Sequence, residues 1–239
     1  MRISAPVFAV LVLILSALPA DAIVGGRDAP ATPWAVALFD GDDFFCGGAL
    51  IAPDKVVTAA HCTVSRTALG VRDRVPADLT AVAGRADLDT SEGRAVRVAA
   101  LWRHPAFTEV SGGDDVATLT LATPLPYRPI GIADATSGQA TVFGWGRTAE
   151  AGAPSRRLRE VDVPIRADAE CAADVPDYRP GGMLCAGYPE GGKDACEGDS
   201  GGPLTVAGEL VGLVSYGRGC ARPGQPGVYT RLSRYQGQL

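Results

Sequence analysis

The feature that most constrains this chain is the brevity of its apolar segments between turn residues. Trp34–Phe39, Thr80–Ala83, Ala95–Trp102, Val116–Leu121, Gln139–Phe143, Leu158–Ile165, Leu204–Val206 and Leu210–Ser215 are short and rich in Val, Leu or Thr. Leu50–Ala60 is a longer run of the same kind. Strands are built this way, and helices need longer runs with a 3.6-residue period. Clusters such as Asp40–Asp43, Ser111–Asp114, Arg179–Gly182, Pro189–Gly192 and Arg222–Gly227 separate the segments. With 30 Gly and 18 Pro in 239 residues, turns are frequent enough to disfavour a helix bundle. The reading is an all-β sandwich or barrel protein. Pro124–Thr136, carrying Pro124, Pro126 and Pro129, joins two halves, 23–130 and 131–239.

Residues 1–22 read as a secretory signal peptide. Arg2 gives a positive start, Val7–Leu18 is apolar, and Ala20-Asp21-Ala22 has the small-x-small form of a cleavage site. The apolar run falls short of the ~20 residues that span a bilayer. No later stretch is long enough, so no membrane association is expected after signal cleavage. The expected location is extracellular. There the six cysteines, Cys46, Cys62, Cys171, Cys185, Cys196 and Cys220, read as three disulfides, with 15 pairings open. No C-x-x-C spacing occurs and there are only 2 His, so no metal site is expected. A net charge of −5 leaves no basic surplus for a phosphate backbone, so nucleic acid is excluded as a partner.

Gly198-Asp199-Ser200-Gly201-Gly202-Pro203 carries the sharpest chemical signal. A serine among glycines can sit on a tight turn where neighbouring N–H groups converge, which suits a nucleophile beside an oxyanion hole. A serine hydroxyl needs a base, and the choice is between His61 and His104. His61 ends an apolar run and has Cys62 as a covalent anchor beside it. His104 precedes Pro105 and has no such anchor. A buried acid would fix the imidazole, and Asp115 stands immediately before the run Val116–Leu121.

Together these segments resemble the motifs of the trypsin-like serine proteases of the chymotrypsin clan. The resemblance rests on Thr58-Ala59-Ala60-His61-Cys62, Asp115-Val116-Ala117 and Gly198–Pro203. It extends through Ile23-Val24-Gly25-Gly26, Cys46-Gly47-Gly48, Gly144-Trp145-Gly146, Ser215-Tyr216-Gly217 and Pro226-Gly227-Val228-Tyr229. Cys185–Pro189 and Gly219–Gly224 look most like the secreted trypsins of actinobacteria.

The resemblance implies two six-stranded antiparallel β-barrels with the site in the cleft between them. It makes His61 the general base, Asp115 its orienter and Ser200 the nucleophile, with the N–H groups of Gly198 and Ser200 as the oxyanion hole. It selects Cys46–Cys62, Cys171–Cys185 and Cys196–Cys220 from the open pairings. It places Asp194 at the base of the S1 pocket, lined by Ser215, Gly217 and Gly227, and so implies cleavage after Arg or Lys. It pairs a freed Ile23 amine with Asp199 as the activating contact. Protein or peptide substrates and protein inhibitors are the implied partners, with no cofactor and a monomeric state.

Cleavage after Ala22 would leave Ile23 first, so signal removal itself would activate the enzyme. Cleavage after Ala20 would leave two residues to trim. Many zymogens of the family place a histidine two residues before the Cys46 position to hold the inactive form; here Phe44 stands there. The calcium loop of animal trypsins looks absent, since Arg85 and Ala95 fall where it supplies acids, and Asp87, Asp89 and Glu92 read as a solvated turn. The chain ends without the amphipathic helix common in the family, which puts the second barrel's stability in question. Arg218, beside the pocket entrance, has two readings, a charge that favours acidic substrate residues and a solvated charge, and the second is preferred.

Two rival classes fit parts of the same pattern. Gly198-x-Ser200-x-Gly202 also fits the nucleophile elbow of α/β-hydrolases, but those need a histidine after the serine and none follows Ser200. A non-catalytic module on the same fold would normally lack a member of the triad, and all three are present.

Overall fold

The computed structural model describes residues 23–67 and 70–239, so the expected signal segment 1–22 and its expected cleavage site lie outside the described residues. The first strands are β1 (Arg27–Asp28), β2 (Ala35–Asp40), β3 (Asp43–Ala52), β4 (Lys55–Thr58), β5 (Val64–Thr67) and β6 (Gly70–Asp73). Next come β7 (Leu79–Ala83), β8 (Arg94–Arg103), β9 (Ala117–Leu121), β10 (Gly138–Gly144) and β11 (Arg159–Ile165). A short helix, α1 (Asp168–Asp174), precedes β12 (Met183–Ala186), β13 (Pro203–Val206), β14 (Glu209–Tyr216) and β15 (Gly227–Arg231).

The strands close into two six-stranded antiparallel barrels. In the first, the order is β2-β3-β4-β9-β8-β7. In the second, β11-β10-β13-β14-β15-β12 closes where Ile165 of β11 meets Ala186 of β12. Period-two patterning decides which side chains face in. Along β11, Val161, Val163 and Ile165 are buried, while Asp162 and Pro164 between them are only half-buried. Register shifts at Leu38/Phe39, Leu50/Ala52, Val98/Ala100 and Val214/Tyr216 supply the bends a small closed barrel requires. Among the described residues no helix is long and apolar enough to cross a membrane.

The chain ends cross over. Ile23 is fully buried in the core of the second barrel, beside Val142, Ala195 and Leu204, and β1 pairs with β11. The last residues form a 3₁₀ segment, Leu232–Gln238, rather than a helix. Its Leu232 and Tyr235 are buried with Ala49, Val57 and Val116 of the first barrel and Leu210 and Leu213 of the second.

Cys46–Cys62, Cys171–Cys185 and Cys196–Cys220 are the three disulfides, spanning separations of 16, 14 and 24 residues. Loops of this size give about 3 kcal/mol each in the chain-entropy account. Two expectations need correction. Leu50–Ala60 is not one strand: the Pro53-Asp54 turn divides it into β3 and β4. The β5–β6 hairpin was not expected, because its side chains are mostly exposed and leave no apolar alternation.

Candidate active site

The site forms where the barrels meet. His61 lies in a 3₁₀ turn, Ala60–Thr63, at the end of β4, and Asp115 stands just before β9. β4 and β9 are paired, with Thr58 opposite Ala117, so neighbouring strand ends bring the two residues together. Asp115 Oδ2 lies 2.8 Å from His61 Nδ1, and Oδ1 accepts the His61 backbone N–H at 2.8 Å. The Ser215 hydroxyl donates to Oδ2 at 2.6 Å, and Thr230 Oγ1 donates to the Asp115 carbonyl at 2.8 Å. Burial pushes the Asp115 carboxyl up, but the charge of His61 and hydrogen bonds from His61 and Ser215 outweigh it and hold it below its ordinary value. The ion is therefore the form the site keeps. Its bond to Nδ1 leaves Nε2 as the nitrogen free to exchange a proton.

The neighbouring residue Asp114 has φ of 54°, uncommon for a residue with a side chain. Tyr235 Oη donates to Asp114 Oδ1 at 3.0 Å. The end of the chain thus holds the peptide that aims Asp115. His104 packs edge-on against Trp102 and Tyr235, with Nδ1 3.8 Å from Asp114 Oδ1, and takes no part in the Asp115 cluster.

Ser200 reaches this place from the second barrel. Its carbonyl accepts the Gly47 N–H at 2.7 Å and lies 3.7 Å from Cys62 Sγ, which is itself 3.9 Å from His61 Nε2. The Cys46–Cys62 bridge thus joins the Ser200 loop to the His61 turn. Cys46, His61 and Cys62 lie close enough to suggest a metal site, but both sulfurs are bonded to each other and offer no thiolate. Within the Ser200 loop the N–H groups of Asp199 and Gly202 donate to the carbonyls of Cys196 and Asp199, and that of Gly201 donates to the Val214 carbonyl on β14. The N–H groups of Gly198 and Ser200 find no acceptor among the described residues. Gly198 has φ of +98°, and a Cβ there would stand 2.9 Å from Gly146 Cα, so glycine is required to turn its N–H outward.

Beside Ser200 opens a cavity of about 420 Å³ lined by Asp194, Ser215, Gly217, Gly227 and Tyr229 among others. Asp194 is 3% exposed. Its Oδ2 accepts the Ala221 N–H at 3.1 Å, whereas Oδ1 and the hydroxyl of Tyr229 have no partner. A Cβ at Gly227 would stand 2.6 Å from Oδ1, so the missing side chain keeps the carboxylate open to the cavity. Burial pushes the Asp194 carboxyl up to about 7, with backbone N–H groups of Ala221 and Ala195 working against it. Ser215 lines the cavity, but its hydroxyl serves Asp115, a role the sequence did not signal.

A cation entering this cavity stabilises the ionised form of Asp194 and lowers its pKa. Binding a small guanidinium ligand should therefore release protons near pH 6.5, up to about one per site, and release few at pH 8.5. Calorimetric titration in buffers of different ionisation enthalpy measures this directly.

Asp199 is fully buried, with Oδ1 accepting the Gly146 N–H at 2.8 Å and Oδ2 the Cys196 N–H at 2.9 Å. Burial raises its carboxyl to about 7 despite these two bonds. Nearby, Val24 bridges to Asp194, whose N–H donates to the Val24 carbonyl at 3.2 Å. The loop Arg85–Glu92 is held by arginines: Arg85 Nε donates to the Glu92 carbonyl at 2.6 Å and Arg156 Nε to Asp89 at 2.8 Å. Asp87 lies 3.7 Å from Arg157. Of the acids read as a solvated turn, Asp87 and Asp89 are thus ion-paired, while Glu92 is held through its carbonyl.

Comparison with known proteins follows the same geometry. The family model described as Trypsin matches residues 23–238. A trypsin of Saccharopolyspora erythraea is 44% identical over 222 residues, covering 89% of this chain and 94% of the relative. A trypsin of Squalus acanthias is 37% identical over 226 residues, covering 90% and 93%. Serine protease 1 of Rattus norvegicus is 35% identical over 231 residues, covering 92% and 89%. The likeness runs through both barrels and the seam where their loops meet, and this chain belongs to the trypsin family of serine endopeptidases.

Proposed function

We propose that this chain is a secreted endopeptidase that cleaves after Arg and Lys, with Ser200 as nucleophile, His61 as base and Asp115 as its orienter. The observation that carries the specificity is the buried, unpartnered Oδ1 of Asp194 facing the cavity beside Ser200. A buried acceptor without a donor is costly, and a guanidinium or ammonium at the end of a long side chain satisfies it. Gly217 and Gly227 leave room for that side chain.

In the reaction, His61 Nε2 takes the Ser200 proton as Oγ attacks the scissile carbonyl. The negative oxygen that forms is met by the free N–H groups of Gly198 and Ser200. His61 then gives the proton to the departing amine, which leaves an acyl-enzyme on Ser200. Water, activated by the same imidazole, hydrolyses the ester. Asp115 stabilises the imidazolium in both halves and holds its ring in one tautomer. Among the described residues the Ser200 hydroxyl makes no hydrogen bond, and such contacts commonly tighten only with substrate bound.

Two matched fluorogenic peptides, with Arg or Phe at the cleaved position, test the specificity. Strong preference for Arg supports the assignment of Asp194; preference for Phe refutes it while keeping the protease.

Activation is assigned to Ile23 and Asp199. Three features support the pairing: Ile23 is buried, Asp199 is buried with no cation beside it, and Ile23 has φ of 53°. That angle is strained for a β-branched residue, and it ceases to exist once the bond to residue 22 is cut. A freed ammonium beside Asp199 supplies the missing charge. Protein that keeps residues ahead of Ile23 should show kcat/KM at least ~100-fold below protein starting at Ile23, through loss of a formed oxyanion hole. The stability profiles should differ too. A carboxyl raised to about 7 by burial supports the fold at low pH and loses that support as pH rises through 7. The extended form should therefore weaken between pH 4 and 7 relative to the trimmed form. Matching activity and melting profiles for the two forms would refute the pairing.

A further inference from the structure

β13 pairs with β14 only as far as Leu213, and Gly201 and Gly202 continue that edge to Val214. Beyond that point, β14 keeps a partner on one side only, with Val228 opposite Tyr216. Ser215–Gly217 therefore present an open strand edge beside the cavity that holds Asp194, and an extended peptide can add to such an edge. The leaving amine must face His61, so the acyl half of a substrate runs the other way, from Ser215 toward Gly217. Strand spacing puts the residue aligned with Gly217 two positions ahead of the cleaved one.

Arg218 follows Gly217 immediately and is exposed. Arg179, also exposed, stands near Tyr216: its backbone N–H and the Tyr216 hydroxyl both reach Met183 Sδ, at 3.4 and 3.9 Å. Neither side chain makes an ion pair or hydrogen bond among the described residues. Burial, and then the charge of Asp177, push the Tyr216 hydroxyl up, with the charges of Arg218 and Arg179 working against them. Other acids stand nearby: Asp73 and Glu109 in the neighbouring cavity that His61 and Ser215 line, Glu150 and Glu197 on the cavity that holds Asp194, and Asp114 in the hollow it shares with Arg179. The chain as a whole is acidic, with a net charge of −5, so two unpaired arginines at the end of a substrate-binding edge run against its overall charge.

Resting on the reading of a protease that cleaves after Arg or Lys, we propose that Arg218 and Arg179 form an anion-recognising subsite. It selects peptides with Asp or Glu two or three residues ahead of the cleaved residue. The carboxylate adds a charge-assisted contact at the rim, where water screens it, so the preference is moderate and falls with salt.

The test uses full-length mature enzyme and three peptides that all carry Arg at the cleaved position. One has Asp two residues ahead, one has Ala there, and one has Asp two residues after the cleaved bond. At low ionic strength kcat/KM should be about 3- to 10-fold higher for the first peptide than for the second, and the gap should close toward ~0.5 M salt. Asp after the cleaved bond should bring no such gain. Arg218→Ala with Arg179→Ala should abolish the preference while leaving the Ala peptide unchanged, and Arg218→Glu should invert it toward Lys at that position. Equal cleavage of the first two peptides at every salt concentration overturns the proposal, as does a preference that survives the double substitution. Absence of turnover on all three Arg peptides overturns the cleavage reading, and the subsite with it; no turnover is distinct from equal turnover.

Discussion

Ser200→Ala lowers kcat on an Arg peptide by about 10⁵- to 10⁶-fold with KM little changed, a size taken from triads measured in other serine proteases. The expectation follows from how little else at the seam can replace the hydroxyl. His61 and Asp115 can prepare a nucleophile but cannot supply one. Cys62, the nearest sulfur, is locked in its bridge with Cys46. The loop itself should survive, because Ser200 is tied in by its carbonyl through the Gly47 N–H at 2.7 Å and not by its hydroxyl. A melting temperature near that of the parent, beside lost turnover, separates chemistry from collapse. Asp115→Asn makes a graded companion. It keeps the shape but loses the charge, and an amide donor facing Nδ1 favours the wrong tautomer, at about 10⁴-fold in kcat.

The second large effect belongs to Asp194→Ser. Loss of the partner for a buried cation costs about 2–5 kcal/mol. At 1.36 kcal/mol per tenfold, the ratio of kcat/KM between Arg and Phe peptides should fall by about 30- to several-thousand-fold. Turnover of the Phe peptide should hold or rise. Stability should move the other way. The Asp194 carboxyl is raised to about 7 by burial, so its ionised form works against the fold at pH 8. Asp194→Ser should therefore melt above the parent at pH 8, with the gap narrowing as pH falls toward 4. A parent that melts higher at pH 8 would show that Asp194 is not held at the expense of stability.

Residues whose chemistry is local were legible in the sequence. His61 beside a cysteine and Ser200 among glycines each leave a mark; Asp115 ahead of an apolar strand reads equally as a solvated turn acid and is singled out through the family resemblance, and the fold brings His61 and Asp115 to 2.8 Å. β-strand alternation likewise marks β11, where inward and outward residues take turns. What stayed hidden depends on distant contacts. Nothing near Tyr235 in the sequence points to Asp114, 121 positions earlier, and the link exists only because the 3₁₀ end of the chain crosses the seam. The Ser215 hydroxyl shares a strand with pocket residues but turns to Asp115, a choice set by two barrels meeting. The β5–β6 hairpin escaped because a mostly exposed ribbon needs no apolar period. Arg218 could be seen as a charge. Its lack of a partner, and the open edge beside it, could not.

The central claim is that the His61–Asp115 pair activates Ser200 alone among the serines of this chain. Treating protein that begins at Ile23 with a serine-directed phosphonylating reagent, then mapping the adduct by peptide mass, tests it most directly. The account predicts one adduct per chain, on Ser200, forming in step with loss of peptidase activity and much more slowly in His61→Ala. Stoichiometric labelling of another residue, or a Ser200 adduct that forms as fast without His61, would contradict it.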